Sequence, residues 1–314
     1  MMSDGVVVGY DRSGSGDRTL AEAAAAAVRS GQALVVVNAY PGPIPHGATL
    51  PLPDTAEWAP TDLVDSANLL VGHAITLVRS WHPRLPVEGR VVAGRVWEVL
   101  GEASRHAGLL VVGNPGGTVD TLPGSVTLRV LAEAACPVLV VPAGDEDGED
   151  GEDGEDRRRA DGAAVVAAVV AAVDVEDPCD DVLDFAFAEA ARRNAALEVV
   201  HVWEQPRNVN HLRHTTGPGH DATLIEQQHQ IRLTELVDAA AGRHPGVEAA
   251  ARVEIGPPGR ALVTATESAG LLVVGARRQG KGHHHRLSIG PVVHALLHHG
   301  ECPMAVVPNG PAPE

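Results

Sequence analysis

Aromatic residues and cysteines are scarce in this chain. Phe, Trp and Tyr together make up 3% of the 314 residues, and the cysteines are Cys136, Cys179 and Cys302. An odd number of cysteines without metal-type spacing predicts neither a disulfide framework nor a zinc site. It favours a reducing compartment, so we expect a cytoplasmic protein.

Positive charge is also in short supply. The 24 Lys and Arg residues stand against 41 Asp and Glu residues, which gives a formal net charge of -17. Nucleic-acid binding needs a concentrated basic face to neutralise phosphates, so no nucleic-acid partner is expected. The apolar run 163–173 is far shorter than a bilayer crossing, so no membrane association is expected either.

The residues that are abundant are Ala, Val and Leu. Short Val-rich runs alternate with Ala-rich stretches of helical character, which is typical of parallel strands buried on both faces. A length of 314 residues fits two domains of roughly 150 residues each.

Four landmarks occur in the same order in both halves of the chain, at nearly constant spacing, which indicates an internal duplication. We call the two halves copy one and copy two. The matching segments are Val6–Asp11 with Val169–Asp174, Leu34–Tyr40 with Leu197–Trp203, Leu109–Gly113 with Leu271–Gly275, and Cys136–Pro142 with Cys302–Pro308.

A Gly-interrupted acidic tract, 145–156, separates the copies. It has nothing to bury and repels itself, so it predicts an extended linker. The predicted domains are therefore 1–143 and 161–314, with 144–160 as a flexible linker.

Each copy reads as strand, helix, strand, long loop, helix, strand, helix, strand, helix, strand. This alternation predicts the α/β class, with two tandem, doubly wound domains that each contain a five-stranded parallel sheet between helices. The predicted helices are 17–30, 61–81, 96–107 and 125–135 in copy one, and 178–194, 221–243, 259–269 and 291–300 in copy two.

The final strands, Val138–Val141 and Met304–Val307, are apolar and flanked by prolines. Prolines place such strands at a sheet edge, and exposed edges favour pairing. We therefore predict that the two last strands pair with each other across a pseudo-twofold axis.

Ligands of open parallel sheets bind beyond the carboxyl ends of the strands, where strand order reverses. Asp11 and Ser13 follow the first strand of copy one, and Asp174 follows that of copy two. Each carboxylate could accept hydrogen bonds from a ribose or an adenine edge. On spacing alone, an Asx turn or a helix cap is an equal alternative.

Glycines and hydroxyls follow the fourth strand of copy one, at Gly113, Gly116, Gly124, Ser125 and Thr127. Glycines let backbone amides approach a phosphate, and the start of a helix supplies free N–H groups and a favourable dipole. The same glycines would also suit tight turns that bind nothing.

Together, the Asp after the first strand, the LLVVG strand, the Gly-rich loop, the Gly124-Ser125 helix start and the CPV-type last strand resemble the universal stress protein family. The resemblance covers both copies and implies an adenine nucleotide alpha hydrolase-like fold that commonly dimerises through its last strand. In the ATP-binding branch it implies a G-x2-G-x9-G-[ST] motif. Carried over, Asp11 would hold the base or ribose, and Gly113, Gly116, Gly124 and Ser125 would hold the phosphates of ATP, with Mg²⁺.

Both copies depart from that motif. Copy one has seven residues between Gly116 and Gly124, and copy two has Gly275-Ala-Arg-Arg278 and then Gly290 followed by Pro291. Copy two instead offers a basic cluster for phosphate. The basic cluster comprises Arg277, Arg278, Lys281 and Arg286. We favour copy one as the intact site, while a shared or single degenerate site stays open.

Catalysis and metal binding find little support in the sequence. No nucleophile, base and orienting acid can be assembled from the spacing, and His283–His285 lack accompanying ligands for a metal. Three functions remain: an adenine-nucleotide-binding stress-response regulator, a nucleotide-independent scaffold from the non-ATP branch, and a slow ATPase without an evident base. A regulatory protein partner of unknown identity and a further homodimer are compatible with the first two.

Overall fold

The computed structural model describes residues 5–11, 13, 15–41, 60–114, 125–143, 167–204, 220–279 and 286–310. The chain divides into two compact units, Met1–Gly144 with Gly280–Leu287, and Asp145–Gln279 with Ser288–Glu314. The acidic tract lies outside the described residues. The predicted domain bounds, the pseudo-twofold axis and the pairing of the last strands remain predictions.

Copy one contains five strands and four helices in the predicted alternation. Their bounds are β1 (Val6–Gly9), α1 (Gly16–Ser30), β2 (Leu34–Tyr40), α2 (Pro60–Trp81), β3 (Val87–Ala93), α3 (Val96–Ser104), β4 (Leu109–Asn114), α4 (Ser125–Glu133) and β5 (Val138–Pro142).

Copy two repeats this order and adds one short strand. Its elements are β6 (Val169–Ala172), α5 (Asp180–Arg193), β7 (Leu197–Trp203), α6 (His220–Ala241), β8 (Ala249–Ile255), α7 (Pro258–Thr266), β9 (Leu271–Gln279), β10 (Arg286–Ser288), α8 (Pro291–His299) and β11 (Met304–Asn309). The predicted helices are confirmed, with ends that differ by at most three residues.

The strands of copy one form a parallel sheet in the order β3-β2-β1-β4-β5. Val6 pairs with Leu34 on one side and with Leu109 on the other, so strand order reverses between β1 and β4. In copy two the corresponding order is β8-β7-β6-β9-β11, and Val169 pairs with both Leu197 and Leu271. Each copy therefore has the topological switch point that favours a ligand cleft.

Helices cover both faces of each sheet, which confirms the doubly wound prediction. In copy one, α1 and α2 contact each other and the sheet, and α3 and α4 form the second layer. In copy two, α5 pairs with α6 and α7 with α8. The central strands are consequently buried on both sides, and β1 and β4 supply Val6, Val7, Val8 and Leu110, each no more than 1% exposed.

The first helix of each copy ends on a residue in the left-handed backbone region. Gly31 ends α1 with φ of 66°, and Asn194 ends α5 with φ of 51°. Glycine has no Cβ to clash there, and asparagine is among the few other residues that tolerate this conformation. The duplication has thus kept the backbone turn while changing the residue that makes it.

The fourth strand of copy two is longer than the LLVVG segment that the two copies share. β9 continues through Arg277 and Arg278 to Gln279. The extension arises because β11 is long enough to pair with it, up to Asn309 opposite Arg277.

Candidate functional site

Each copy has a cavity at the carboxyl ends of its central strands, beside the topological switch point. In copy one the cavity has a volume of about 220 Å³, and Asp11, Ser13, Gly113 and Thr127 all lie on its wall. The structure therefore brings four of the predicted site residues of copy one together. Its described lining also includes Gly9, Tyr10, Ser15, Gly16, Thr19, Val37, Asn38, Ala39, Val96, Leu100, Val112, Val126 and Val130.

The remaining predicted residues of copy one cannot be placed. Gly116 and Gly124 lie outside the described residues, and for Ser125 only the backbone, as the first residue of α4, is described. Their convergence with Asp11 stays a prediction.

The aspartates after the first strands both form Asx turns. The backbone N–H of Ser13 donates to Asp11 Oδ1 at 3.0 Å, and that of Glu176 donates to Asp174 Oδ1 at 3.1 Å. The Asx turn that the sequence left open is therefore present in both copies. It fixes each carboxylate at the cavity wall, and a carboxylate with about four acceptor sites can also accept from a ligand.

A buried polar side chain that sequence reasoning missed holds the backbone just before each aspartate. Asn38 Nδ2 donates to the carbonyl of Tyr10 at 2.7 Å, and His201 Nδ1 lies 3.1 Å from the carbonyl of Val173. Both side chains are largely buried, at 7% and 4% exposure. The signal was a polar residue at the same place inside two matching Val-rich segments.

Packing against α1 also requires a glycine at position 113. A Cβ atom there would lie 2.8 Å from Thr19 Oγ1 and 3.1 Å from Ser15 Oγ, so a side chain would clash with the start of α1. Thr127 Oγ1 in turn donates to the Gly113 carbonyl at 3.2 Å. Both residues border the cavity, but each also has a packing or hydrogen-bonding role within the fold.

The cavity of copy two is larger, at about 490 Å³. Asp174, Gly275 and Gly290, the three predicted site residues of this copy, lie on its wall. A Cβ at Gly275 would lie 3.0 Å from Val182 Cγ2, whereas one at Gly290 would meet nothing within 4 Å. Gly290 precedes Pro291, which begins α8 and has no N–H to offer an anion.

Two arginines of the predicted basic cluster, Arg277 and Arg278, are engaged with acceptors of copy two. Arg277 pairs with Asp177, with Nε 2.9 Å from Oδ2. Arg278 donates to the Gly310 carbonyl at 2.8 Å and lies 3.5 Å from the Asp181 carboxylate. The hydrogen bond that Arg277 donates to Asp177 raises the pKa of Arg277, so the positive charge is retained but locally compensated.

The three cysteines are buried thiols. Burial raises the pKa of Cys136 to about 12 and that of Cys179 and Cys302 to about 11 each. Such thiols are protonated and poorly nucleophilic at neutral pH. Cys179 lies on the wall of the second cavity.

Two kinds of feature do not occur among the residues that the structure describes. Across these ranges, no helix has both the length and the apolar character needed to cross a bilayer, and no three His, Cys, Asp or Glu side chains converge as a metal site. His283–His285 fall outside the described residues.

The universal stress protein family model matches the chain twice, over residues 2–142 and 167–308. The chain belongs to the universal stress protein family. Both matches span a complete set of strands and helices, so it is a tandem form of the family, in agreement with the duplication.

Known universal stress proteins resemble the chain over nearly its full length. Universal stress protein Rv2005c of Mycobacterium tuberculosis is 28% identical over 308 residues, covering 96% of both chains. Universal stress protein Rv2623 of the same organism is 27% identical over 308 residues, covering 96% of this chain and 95% of its own. The crystal structure of a universal stress protein from Archaeoglobus fulgidus has the same fold, with a TM-score of 0.62 at 17% identity, covering 99% of this chain and 100% of that one.

Proposed function

We propose that this protein is an adenine-nucleotide-binding stress-response regulator that acts by binding rather than by catalysis. The observation that carries the proposal is shared by both copies. Each cavity extends from an aspartate fixed in an Asx turn to the first turn of the last helix, α4 or α8. Membership of the family provides the second support.

The two ends of each cavity suit the two ends of a nucleotide. The carboxylate of Asp11 or Asp174 can accept hydrogen bonds from ribose hydroxyls or the adenine amino group. At the other end, the first N–H groups of a helix have no partner within the helix, and the macrodipole favours an anion. Val126 and Thr127 in α4, and Val292 and Val293 in α8, line the cavities at these helix starts.

Copy one is the proposed site for ATP. Its last helix begins with Ser125, which keeps the N–H that Pro291 lacks in α8. The described residues of this cavity include the Asp11 carboxylate but no cluster of ligands that could hold a resident metal ion. Mg²⁺ would therefore enter the cavity bound to the phosphates of ATP.

One observation favours a second function for copy two, namely nucleotide-independent binding of a regulatory partner. Arg277 is paired with Asp177, and Arg278 is bonded to Gly310 and near Asp181. The phosphate end of this cavity therefore has less uncompensated positive charge than the sequence suggests. A scaffold role would use the outer surface of copy two rather than its cavity.

Titration calorimetry with ATP tests the proposal, using Asp11→Ala and Asp174→Ala as a matched pair. Because the two aspartates are equivalent by duplication, each variant is the control for the other. We expect the wild-type protein and Asp174→Ala to bind ATP, and Asp11→Ala to lose most of the heat. Absence of heat with ATP, ADP and AMP in the wild-type protein would leave the nucleotide-independent function as the better account.

A further inference from the structure

Copy two contains a titratable side chain where copy one contains a neutral one. His201 and Asn38 occupy the same position of matching strands, and each holds the carbonyl of the residue before the cavity aspartate. A Tyr10 carbonyl held by an amide cannot respond to acidity. The imidazole that holds the Val173 carbonyl has a second ring nitrogen, which can bind a proton.

His201 does not act alone, because its second ring nitrogen meets a histidine from α6. His201 Nε2 lies 3.2 Å from His229 Nδ1, and the rings meet edge to face with centroids 4.7 Å apart. Trp203 also packs edge to face on His229, at 5.3 Å. Copy one has no such pair, since Ala67 lies as far before β3 as His229 lies before β8.

The hydrogen bonds determine the tautomers of the pair. A backbone carbonyl only accepts, so the proton of neutral His201 is on Nδ1, bonded to Val173. His201 Nε2 is then an acceptor, and the proton between the rings belongs to His229 Nδ1. In the neutral pair, each N–H group therefore faces an acceptor. If both rings were protonated, the N–H of His201 Nε2 would face the N–H of His229 Nδ1.

The surroundings of His229 oppose its protonation. Burial lowers its pKa, and the charge of a protonated His201 lowers it further, while the Glu176 and Asp174 carboxylates raise it; the pKa is lowered overall from the ordinary value of 6.5. A His229 released into water therefore binds a proton more readily than a His229 docked on the sheet. The docked state loses stability as the pH falls below the ordinary histidine range towards the lowered pKa.

Several other charged groups on α6 and its neighbouring elements form ion pairs with one another. Arg252 of β8 pairs with Glu198 and Glu254, Asp184 of α5 pairs with Arg243 and His244, and Arg232 of α6 lies 3.6 Å from Glu235. Apart from His201, Asp174 and Glu176, no described group is identified as acting on the His229 charge.

We propose that His201 and His229 form a proton-sensitive contact through which acidification loosens α6 from the sheet of copy two, beside the turn that carries Asp174. The device is specific to copy two, because Asn38 and Ala67 stand in the equivalent places of copy one. It also lies next to the second cavity, whose wall includes Val173 and Asp174. It needs no ligand and is independent of nucleotide binding.

Hydrogen exchange of the ligand-free protein, read by mass spectrometry at about pH 7.5 and about pH 5.5, tests the proposal. After correction for the intrinsic pH dependence of exchange, we expect amides of α6 around His229 to exchange several-fold faster at the lower pH. The matching peptide of α2 around Ala67 is the internal control and should not change.

Two variants install the residues of copy one. His229→Ala should make α6 exchange as independent of pH as α2 exchange. His201→Asn should weaken the pH dependence of α6 exchange without abolishing it, because the burial that lowers the pKa of His229 remains. The proposal would be overturned if exchange in α6 and in α2 showed the same pH dependence in the wild-type protein. It would also be overturned if both variants kept the pH dependence of wild-type α6. If a variant does not fold, the comparison of α6 with α2 in the wild-type chain still decides, and a failure of ATP to bind has no bearing on it.

Discussion

Gly113 and Thr19 approach each other so closely that a Cβ on Gly113 would lie 2.8 Å from the Thr19 hydroxyl oxygen. That hydroxyl is itself held, because it donates to the Ser15 carbonyl at 2.8 Å. This glycine in β4 therefore allows α1 to pack against the strand at the edge of the first cavity.

Gly113→Ala should lower the free energy of unfolding of copy one by about 1–3 kcal/mol, the usual cost of overpacking a filled site. Urea unfolding followed by circular dichroism measures it. Gly72→Ala is the control, since a Cβ there meets nothing within 4 Å, and it should stabilise α2 by up to about 1 kcal/mol. Equal effects of the two changes would contradict this packing role.

Asn194→Ala should cost about 1–2 kcal/mol, because alanine pays the full penalty of the left-handed conformation at φ 51°. Asn194→Gly should keep or slightly raise stability, as the natural Gly31 does at the equivalent place. The pair of variants can be compared by thermal unfolding. A loss with glycine as large as that with alanine would show that the Asn194 side chain, rather than its backbone conformation, is what matters.

Asp177→Asn should release Arg277 for an incoming phosphate and so tighten ATP binding at copy two. The change in stability should be small, because the Arg277 side chain is 68% exposed and exposed ion pairs contribute little. Calorimetry in the Asp11→Ala background isolates the second cavity. Unchanged ATP affinity there would mean that the ion pair does not limit anion binding.

Asp184 should contribute to stability above its ordinary pKa and lose that contribution in acid. Burial raises the pKa of Asp184, but hydrogen bonds from Arg243 and His244 outweigh burial and hold it below 3.8. Because the folded-state pKa is the lower one, the contribution is full above about pH 4 and disappears as the pH falls through the folded value. Asp184→Asn should therefore make the free energy of unfolding fall less steeply as the pH is lowered into the acid range. Urea midpoints at a series of pH values measure this, and an unchanged acid dependence would contradict the assignment.

Much of the fold and part of the site could be predicted from the sequence. Val-rich runs that end on Asp11 and Asp174 were enough to identify the first strands, because parallel central strands need apolar residues on both faces. The duplication then located the equivalent residues of copy two without any further signal.

The rest depended on packing that sequence spacing does not encode. The meeting of His201 with His229 requires the rotation of α6 on the sheet, which side chains of both elements set together. The extension of β9 through Arg277 was hidden because a Gly-Ala-Arg-Arg segment reads as a loop until β11 is there to pair with it. The close approach of Gly113 to Thr19 could not be predicted either, because it depends on how α1 packs against the sheet.

A crystal structure of the protein grown with ATP and Mg²⁺ tests the central claim most directly. The account predicts nucleotide in the cavity of copy one, with its base or ribose against Asp11 and its phosphates at the N-terminus of α4. Nucleotide bound outside both cavities, or cavities that stay empty at saturating ATP, would contradict it.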